Sequence, residues 1–205
     1  MKNLKIFSSI EEKDLDKVLK SLGARTILYG KNQTIFTNID NTNMIFIIVS
    51  GHANILGYDY NGNCSILEKL EKDSIFGDLF FKYDNDISII TTSPCEILVL
   101  EFDNLIKNFK NNIILNNFIN LCINKIIDLN LRVSILSKRT IREKLLTYFK
   151  IMRNKYSSNS FSIPFTYTNL ADYLSIDRSA MMRELKKMKD ENILKTYGRK
   201  ITMID

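Results

Sequence analysis

The chain has 205 residues, 45% apolar and 25% charged, with three cysteines, one histidine and a formal net charge of +6. That balance fits an ordinary soluble protein of one large or two small domains and excludes a disordered chain. The opening "MKNLKIFSSI" holds no apolar block suited to a secretory signal, and the longest apolar run, Met44 to Val49, is far too short to span a bilayer, so a cytoplasmic chain with no membrane partner is expected.

The stretch "SIEEKDLDKVLKSLG", with Glu11, Glu12 and Asp14 in its first turns and Gly23 as a stop, predicts an amphipathic helix. From residue 24 to 102 the pattern turns to short runs rich in Ile, Val, Phe and Tyr, separated by Gly, Asn and Asp: "ARTILYG", "QTIFTN", "MIFIIVSGHANILGYDY", "CSILEKL", "SIFGDLFF", "ISIITTS" and "CEILVLEF". These predict a compact antiparallel barrel or roll. Within it, Asn61-Gly62 supplies the positive φ angles of a tight hairpin turn. Cys64, Cys95 and Cys122 show no C-x-x-C spacing and read as buried structural thiols, not as zinc or iron-sulfur ligands. The lone His52 has few ligand-type neighbours and is not expected to hold a metal or haem.

At Asp103 the period changes. Asn111 to Leu136 contains neither Gly nor Pro, and Leu115, Ile119, Cys122, Ile126, Leu129, Val133 and Leu136 fall at alternating steps of four and three. A helix of about 26 residues would be about 39 Å long, and an apolar heptad seam of this length most simply pairs with its copy in a second subunit. The competing reading is burial within a monomer. A second apolar set, Ile114, Phe118, Leu121 and Ile127, is available to pack on the barrel. The organisation expected is a sensing barrel over residues 1–110, a dimerisation helix and hinge over 111–137 with the joint near Leu136 to Arg139, and a C-terminal domain over 138–205.

Charge is divided unevenly. Residues 1–136 carry 14 Lys and Arg against 16 Asp and Glu, whereas residues 137–205 carry 15 against 7, a net +8. Clustered cations gain free energy by displacing counterions from phosphates, so a polyanion partner is expected for the last third. There "KRTIREKLLTYFKIMRNKY" predicts a helix and Ser157 to Ser160 a polar loop. Two short helical patterns follow, "NLADYL" with Thr168 as N-cap and "RSAMMRELKKMKDEN" with Asp177 as N-cap. Their inward positions, Leu170, Ala171, Leu174, Ile176, Met181, Leu185 and Met188, are all apolar, the pattern of a helix-turn-helix.

The outward face of the second helix holds Arg178, Ser179, Met182, Arg183 and Lys186. Arg178, in the first turn, is the leading base reader, since a guanidinium donates both hydrogen bonds that guanine O6 and N7 accept. Arg183 suits a base or a phosphate; Ser179, Thr168, Lys186 and Lys187 suit the sugar-phosphate backbone. "ILKTYGRKITMI" then gives two β runs joined by Tyr197-Gly198-Arg199-Lys200, a wing with a basic tip against phosphate. Double-stranded DNA is the partner these features favour in combination.

"VSG" at Val49 to Gly51, "FGDL" at Phe76 to Leu79 and "SIDRSAMMREL" at Ser175 to Leu185 resemble the marks of the cyclic-AMP receptor protein and fumarate/nitrate reduction regulator (Crp/Fnr) family. The resemblance covers nearly the whole chain. It implies an α+β fold: an N-terminal cyclic-nucleotide-binding-like β-barrel of jelly-roll type, a long dimerisation helix and a C-terminal winged helix-turn-helix. It implies a homodimer on a roughly palindromic operator with half-sites about 34 Å apart, with RNA polymerase as a further partner near the "YSSNSF" loop. It places an effector pocket at Phe76, Gly77, Asp78, Leu79 and Lys82. In the family's cyclic-nucleotide binders an acidic residue after the Gly contacts ribose and a downstream Arg-Ser pair holds the cyclic phosphate. Asp78 suits the first role, but "KYDNDISII" offers no arginine, and Lys82 lies too close to Asp78 to match.

Cyclic AMP is therefore not expected as the effector, and effector and cofactor stay unassigned. With no cysteine before Cys64, the family's N-terminal iron-sulfur group is not expected either. Ser179 stands where many members have Glu, Ser175 where a turn glycine is common, and Glu184 where an apolar residue is usual. The reading is a homodimeric, sequence-specific DNA-binding transcription regulator and not an enzyme. The rival is a small-molecule or haem sensor acting through a protein partner.

Overall fold

A computed structural model of the chain describes residues 1–37, 43–62, 64–77, 80, 87–107 and 112–204, and the chain divides into two units, Met1–Ile126 and Ile127–Asp205. In the first, a 3-10 turn at Lys5–Phe7 precedes α1 (Glu12–Ser21), which Gly23 ends at φ +61. Among the described residues eight strands follow: β1 Arg25–Tyr29, β2 Thr34–Thr37, β3 Met44–Ser50, β4 Ala53–Tyr58, β5 Cys64–Leu70, β6 Ile75–Phe76, β7 Ile87–Thr91 and β8 Cys95–Glu101. They form two antiparallel four-stranded sheets, β1-β8-β3-β6 and β2-β7-β4-β5, the strand order of a jelly roll. Ile48, Ala53, Ile55, Leu70, Ile89, Ile97 and Val99 fill the space between them.

Two glycines are demanded by close backbone approaches. Gly51, at φ +87, ends the β3–β4 corner where a methyl would lie 2.1 Å from the Pro94 carbonyl oxygen; at Gly77, φ +133, it would lie 2.5 Å from that of Met44. The "VSG" and "FGDL" marks are thus first of all conditions for closing the roll. At another corner Thr91, fully buried, donates its hydroxyl to the Gly30 carbonyl (2.6 Å) and accepts from the Gln33 amide (2.8 Å).

The expected β4–β5 hairpin forms, with Tyr58 opposite Cys64. Its turn is longer than the two-residue form anticipated. The Asp59 carbonyl accepts from the Gly62 amide at 2.9 Å, the Asp59 carboxylate accepts from the Asn61 amide, and Gly62 takes a positive φ of +78 while Asn61 does not. Asp59 stabilises the turn without needing Asn61 in the left-handed region. Of the cysteines only Cys95 is buried, its thiol donating to the His52 carbonyl; Cys64 is exposed and Cys122 half-buried, against the expectation of three buried thiols. Cys64 opens β5 beside the β4–β5 turn, opposite exposed Tyr58. Burial pushes the Cys95 and Cys122 thiols up.

A short α2 (Phe102–Lys107) separates the roll from α3 (Asn112–Leu136). Ile114, Phe118 and Leu121 of α3 bury against Leu4, Phe7, Ile45, Ile75 and Leu100 as expected. Ile127 does not; it is 49% exposed. Four residues beyond Leu121 the inward position falls to Lys125, which is 8% exposed. Its ammonium donates to Glu68 at 2.6 Å and to the Ile75 carbonyl, and lies over the Phe80 ring. Among the described residues no helix is long and apolar enough to cross a membrane.

The second unit takes the last turns of α3, then α4 (Ile141–Tyr156), β9 (Ser160–Ser162), α5 (Tyr167–Leu174), α6 (Arg178–Asp190), β10 (Leu194–Tyr197) and β11 (Lys200–Met203). Thr140 and Glu143 make a capping box at the start of α4. β9, read from sequence as part of a polar loop, pairs with β11 to make a three-stranded sheet β10-β11-β9, because Phe161 buries opposite Ile201. The N-cap of α5 is Thr166, whose side chain accepts from the Asn169 amide; Thr168, expected there, lies inside the helix and is exposed. The helix begins two residues sooner than "NLADYL" suggests because Thr166 already has an extended backbone and a reach to the third amide. Asp177 caps α6 as expected, accepting from Ala180 at 2.7 Å. Ser175 occupies the left-handed region at φ +51, where glycine is common.

Gly51→Ala should lower stability by at least about 2 kcal/mol, since strain and overlap with backbone add; urea unfolding measures it, and an unchanged midpoint would show that the β3–β4 corner yields. Ser175→Gly should raise stability of the C-terminal unit by up to about 1 kcal/mol, seen as a higher thermal midpoint.

Candidate nucleic-acid interface

The geometry of α6 follows from its underside. Met181, Leu185 and Met188 are at most 2% exposed and pack with Leu145, Phe149, Leu170, Ala171 and Leu174 in one core. At 3.6 residues per turn this leaves Arg178, Ser179, Met182, Arg183 and Lys186 on the opposite side, all exposed. Lys187 is also exposed, toward one flank. The sequence-assigned set is therefore brought together on one helix face.

Ser175 and Ile176 make the bend between α5 and α6. The Ser175 and Ile176 amides donate to the Asp172 and Ala171 carbonyls, and the Lys144 ammonium on α4 donates to the Leu174 carbonyl at 3.1 Å. A cation at a helix C-terminus also meets the negative end of its dipole. Tyr167 donates its hydroxyl to the Gly198 carbonyl at 2.8 Å, tying the start of α5 to the β10–β11 turn. That turn carries Arg199 and Lys200, both exposed. Thr168 is exposed on the first turn of α5.

The acidic residue on α6 that broke the expected pattern has its own partner. Glu184 accepts from Arg142 Nε, while Arg142 Nη1 and Nη2 donate to the two Glu191 carboxylate oxygens at 2.7 Å each. The hydrogen bonds it donates to Glu191, then the one to Glu184, hold the guanidinium charged well above its ordinary range, and Arg142 in turn lowers the Glu191 carboxyl. Two carboxylates are thus neutralised beside a face that would otherwise repel phosphate. Arg142, Lys144 and Thr166 escaped sequence reasoning. The signal for Arg142 was present in Glu184, since a carboxylate at a half-buried helical position requires a cation.

For the effector assignment, Phe76 is fully buried in the roll, stacked on Phe46 with ring centroids 5.3 Å apart, and Gly77 serves the backbone. Asp78, Leu79 and Lys82 lie outside the described residues. No cluster of three or more His, Cys, Asp or Glu that could hold a metal occurs among the described residues. Of the seam residues on α3, Ile119, Ile126, Leu129 and Val133 are exposed, and Leu115, Cys122 and Leu136 half-buried.

Comparison with known proteins agrees with both halves of this geometry. Residues 26–112 match the cyclic nucleotide-binding domain family, and residues 143–205 match the Crp-like helix-turn-helix domain family. No curated protein matches by sequence. Among solved structures, a cyclic nucleotide-binding domain containing protein from Listeria monocytogenes is similar with TM-score 0.75 at 16% identity, covering 93% of this chain and 97% of that one. A CooA variant from Carboxydothermus hydrogenoformans gives 0.73 at 18% identity over 92% and 86%, and FixK2 from Bradyrhizobium japonicum 0.67 at 15% over 89% and 93%. These likenesses show the fold. With a cyclic nucleotide-binding domain followed by a Crp-like helix-turn-helix domain, the chain belongs to the Crp/Fnr family of DNA-binding transcription regulators.

Proposed function

We propose that the chain works as a homodimer that reads a roughly palindromic duplex operator with two copies of α6. The observation that carries this reading is the exposed face of α6. It combines a guanidinium in the first turn, a second one turn and a residue later, a lysine beyond them and the basic β10–β11 tip. Arg178 donates to guanine in the major groove; Arg183 takes a base or a phosphate; Ser179, Lys186, Arg199, Lys200 and Thr168 hold the sugar-phosphate backbone.

The dimer is supported by α3. Residues 126–131 are all exposed, between buried Lys125 and buried Arg132, and Ile126, Ile127, Leu129 and Leu131 lie among them. An exposed helical segment of this apolar content gains by burying against a second copy, and the seam of Ile119, Ile126, Leu129 and Val133 supplies the heptad spacing. The effector is proposed to be other than cyclic AMP. The stretch from Asp78 to Leu131 holds no arginine, so a cyclic phosphate there would lack the downstream guanidinium that the family's cyclic-nucleotide binders supply.

Arg178→Ala is expected to cost about 1–3 kcal/mol per half-site and to relax preference at one base pair in each, whereas Lys186→Ala should weaken all duplexes alike and reduce the slope of log affinity against log salt by about 2 in the dimer. Binding titrations over a salt series separate the two. Paired Ile126→Glu and Val133→Glu should give a monomer by sedimentation with operator affinity lowered at least about a hundredfold; a tight-binding monomer would remove the dimer from the proposal. Cyclic AMP should change neither operator affinity nor thermal midpoint.

A further inference from the structure

One residue on the outward face of α6 has no use for phosphate. Met182 is 41% exposed, while Met181 and Met188 on the same helix are fully buried. It stands one turn after Arg178 and one turn before Lys186, three residues beyond Ser179, so its thioether is the apolar group within a patch of cations and a hydroxyl. A lone exposed apolar side chain is ordinary on a protein surface; the weight lies on the position. The patch is the one that faces the major groove in the mode proposed above. Its members otherwise divide between hydrogen-bonding to bases and neutralising phosphates, neither of which a thioether does well.

The apolar group that the major groove offers is the thymine 5-methyl, which no other base carries. A flexible, polarisable Met adapts to it readily. Four residues advance α6 by about 6 Å along its axis, roughly two 3.4 Å base steps. We infer that Met182 is a specificity-determining residue that reads a thymine methyl about two base pairs from the guanine taken by Arg178. The inference rests on the DNA-reading mode proposed above and adds a base to it.

The test uses the full-length protein as wild type, Met182→Ala and Met182→Leu. Each is selected against a random duplex library, and the wild-type half-site is resynthesised with deoxyuridine at each thymine in turn, which removes the methyl group and leaves every hydrogen-bonding edge intact. The expected result is one thymine per half-site at which deoxyuridine weakens wild type and Met182→Leu about three- to fourfold and leaves Met182→Ala unchanged. Met182→Ala should also select duplexes that no longer favour thymine there. Identical deoxyuridine profiles for wild type and Met182→Ala, with selection of a defined duplex retained, overturn the inference while leaving reading by Arg178 in place. If wild type selects no duplex, the reading mode and this inference fall together.

Discussion

The burial of Met181, Leu185 and Met188 under α6 governs which chemistry that helix presents. Each such side chain contributes about 1.5–3 kcal/mol when removed from water, while an exposed ion pair contributes a median of about 0–1 kcal/mol. The apolar contacts therefore set the rotation of the helix, and the charges take the directions left to them. A one-residue slip would turn the helix by about 100°, burying Met182 and placing Glu184 nearer the outward face. The Arg142 guanidinium works against that slip: it holds Glu184 and Glu191 from α4, and both carboxylates would lose their partner if α6 rotated.

The long helix α3 obeys two masters in succession. Ile114, Phe118, Leu121 and Lys125 bury on the first unit, and Arg132 and Ile135 bury in the second, Arg132 lying over the Tyr173 ring at 4.8 Å. Cations at two of these inward positions are unusual, and each is held by a specific acceptor or ring rather than by general packing. Lys125 loses its hydration but meets Glu68, a backbone carbonyl and an aromatic face, so the desolvation cost is offset only while that arrangement persists. Between them, residues 126–131 are exposed. The division between the two units falls after Ile126.

Much of this was legible in the sequence, because β-rich runs, a heptad stripe and an apolar-inward helix pair are repeated signals in which one odd residue changes little. The roll, the long helix and the outward set on α6 were read in this way. What escaped depended on single side chains meeting across distance. Thr166 and Thr168 are equivalent in propensity, and only the backbone at Thr166 decides the cap. Ile127 looked inward by composition, whereas the helical count from Leu121 reaches Lys125, a residue that is seldom buried without a partner supplied by a distant strand. β9 is three residues long and is fixed by Phe161 opposite Ile201, a pairing forty residues apart that no local pattern announces. Glu184 was visible as an exception, but its cation lies on α4.

The same distinction bears on what the roll can be expected to sense. Gly51 and Gly77 sit where any side chain would strike a backbone carbonyl, that of Pro94 in the turn before β8 and that of Met44 in β3, so those two glycines would persist in a roll that had lost every ligand, as long as the sheets had to close. A recognisable cyclic nucleotide-binding fold is then compatible with any effector chemistry or none. The ligand-specific part would include a cation fixed to meet a phosphate downstream of Asp78, and residues 78–131 contain lysines but no arginine. A lysine gives a mobile point charge without the planar, bidentate donor set that fixes a cyclic phosphate in one pose. The closure of the roll and the identity of its ligand are thus written in different residues, and the glycines that close the roll do not specify a ligand.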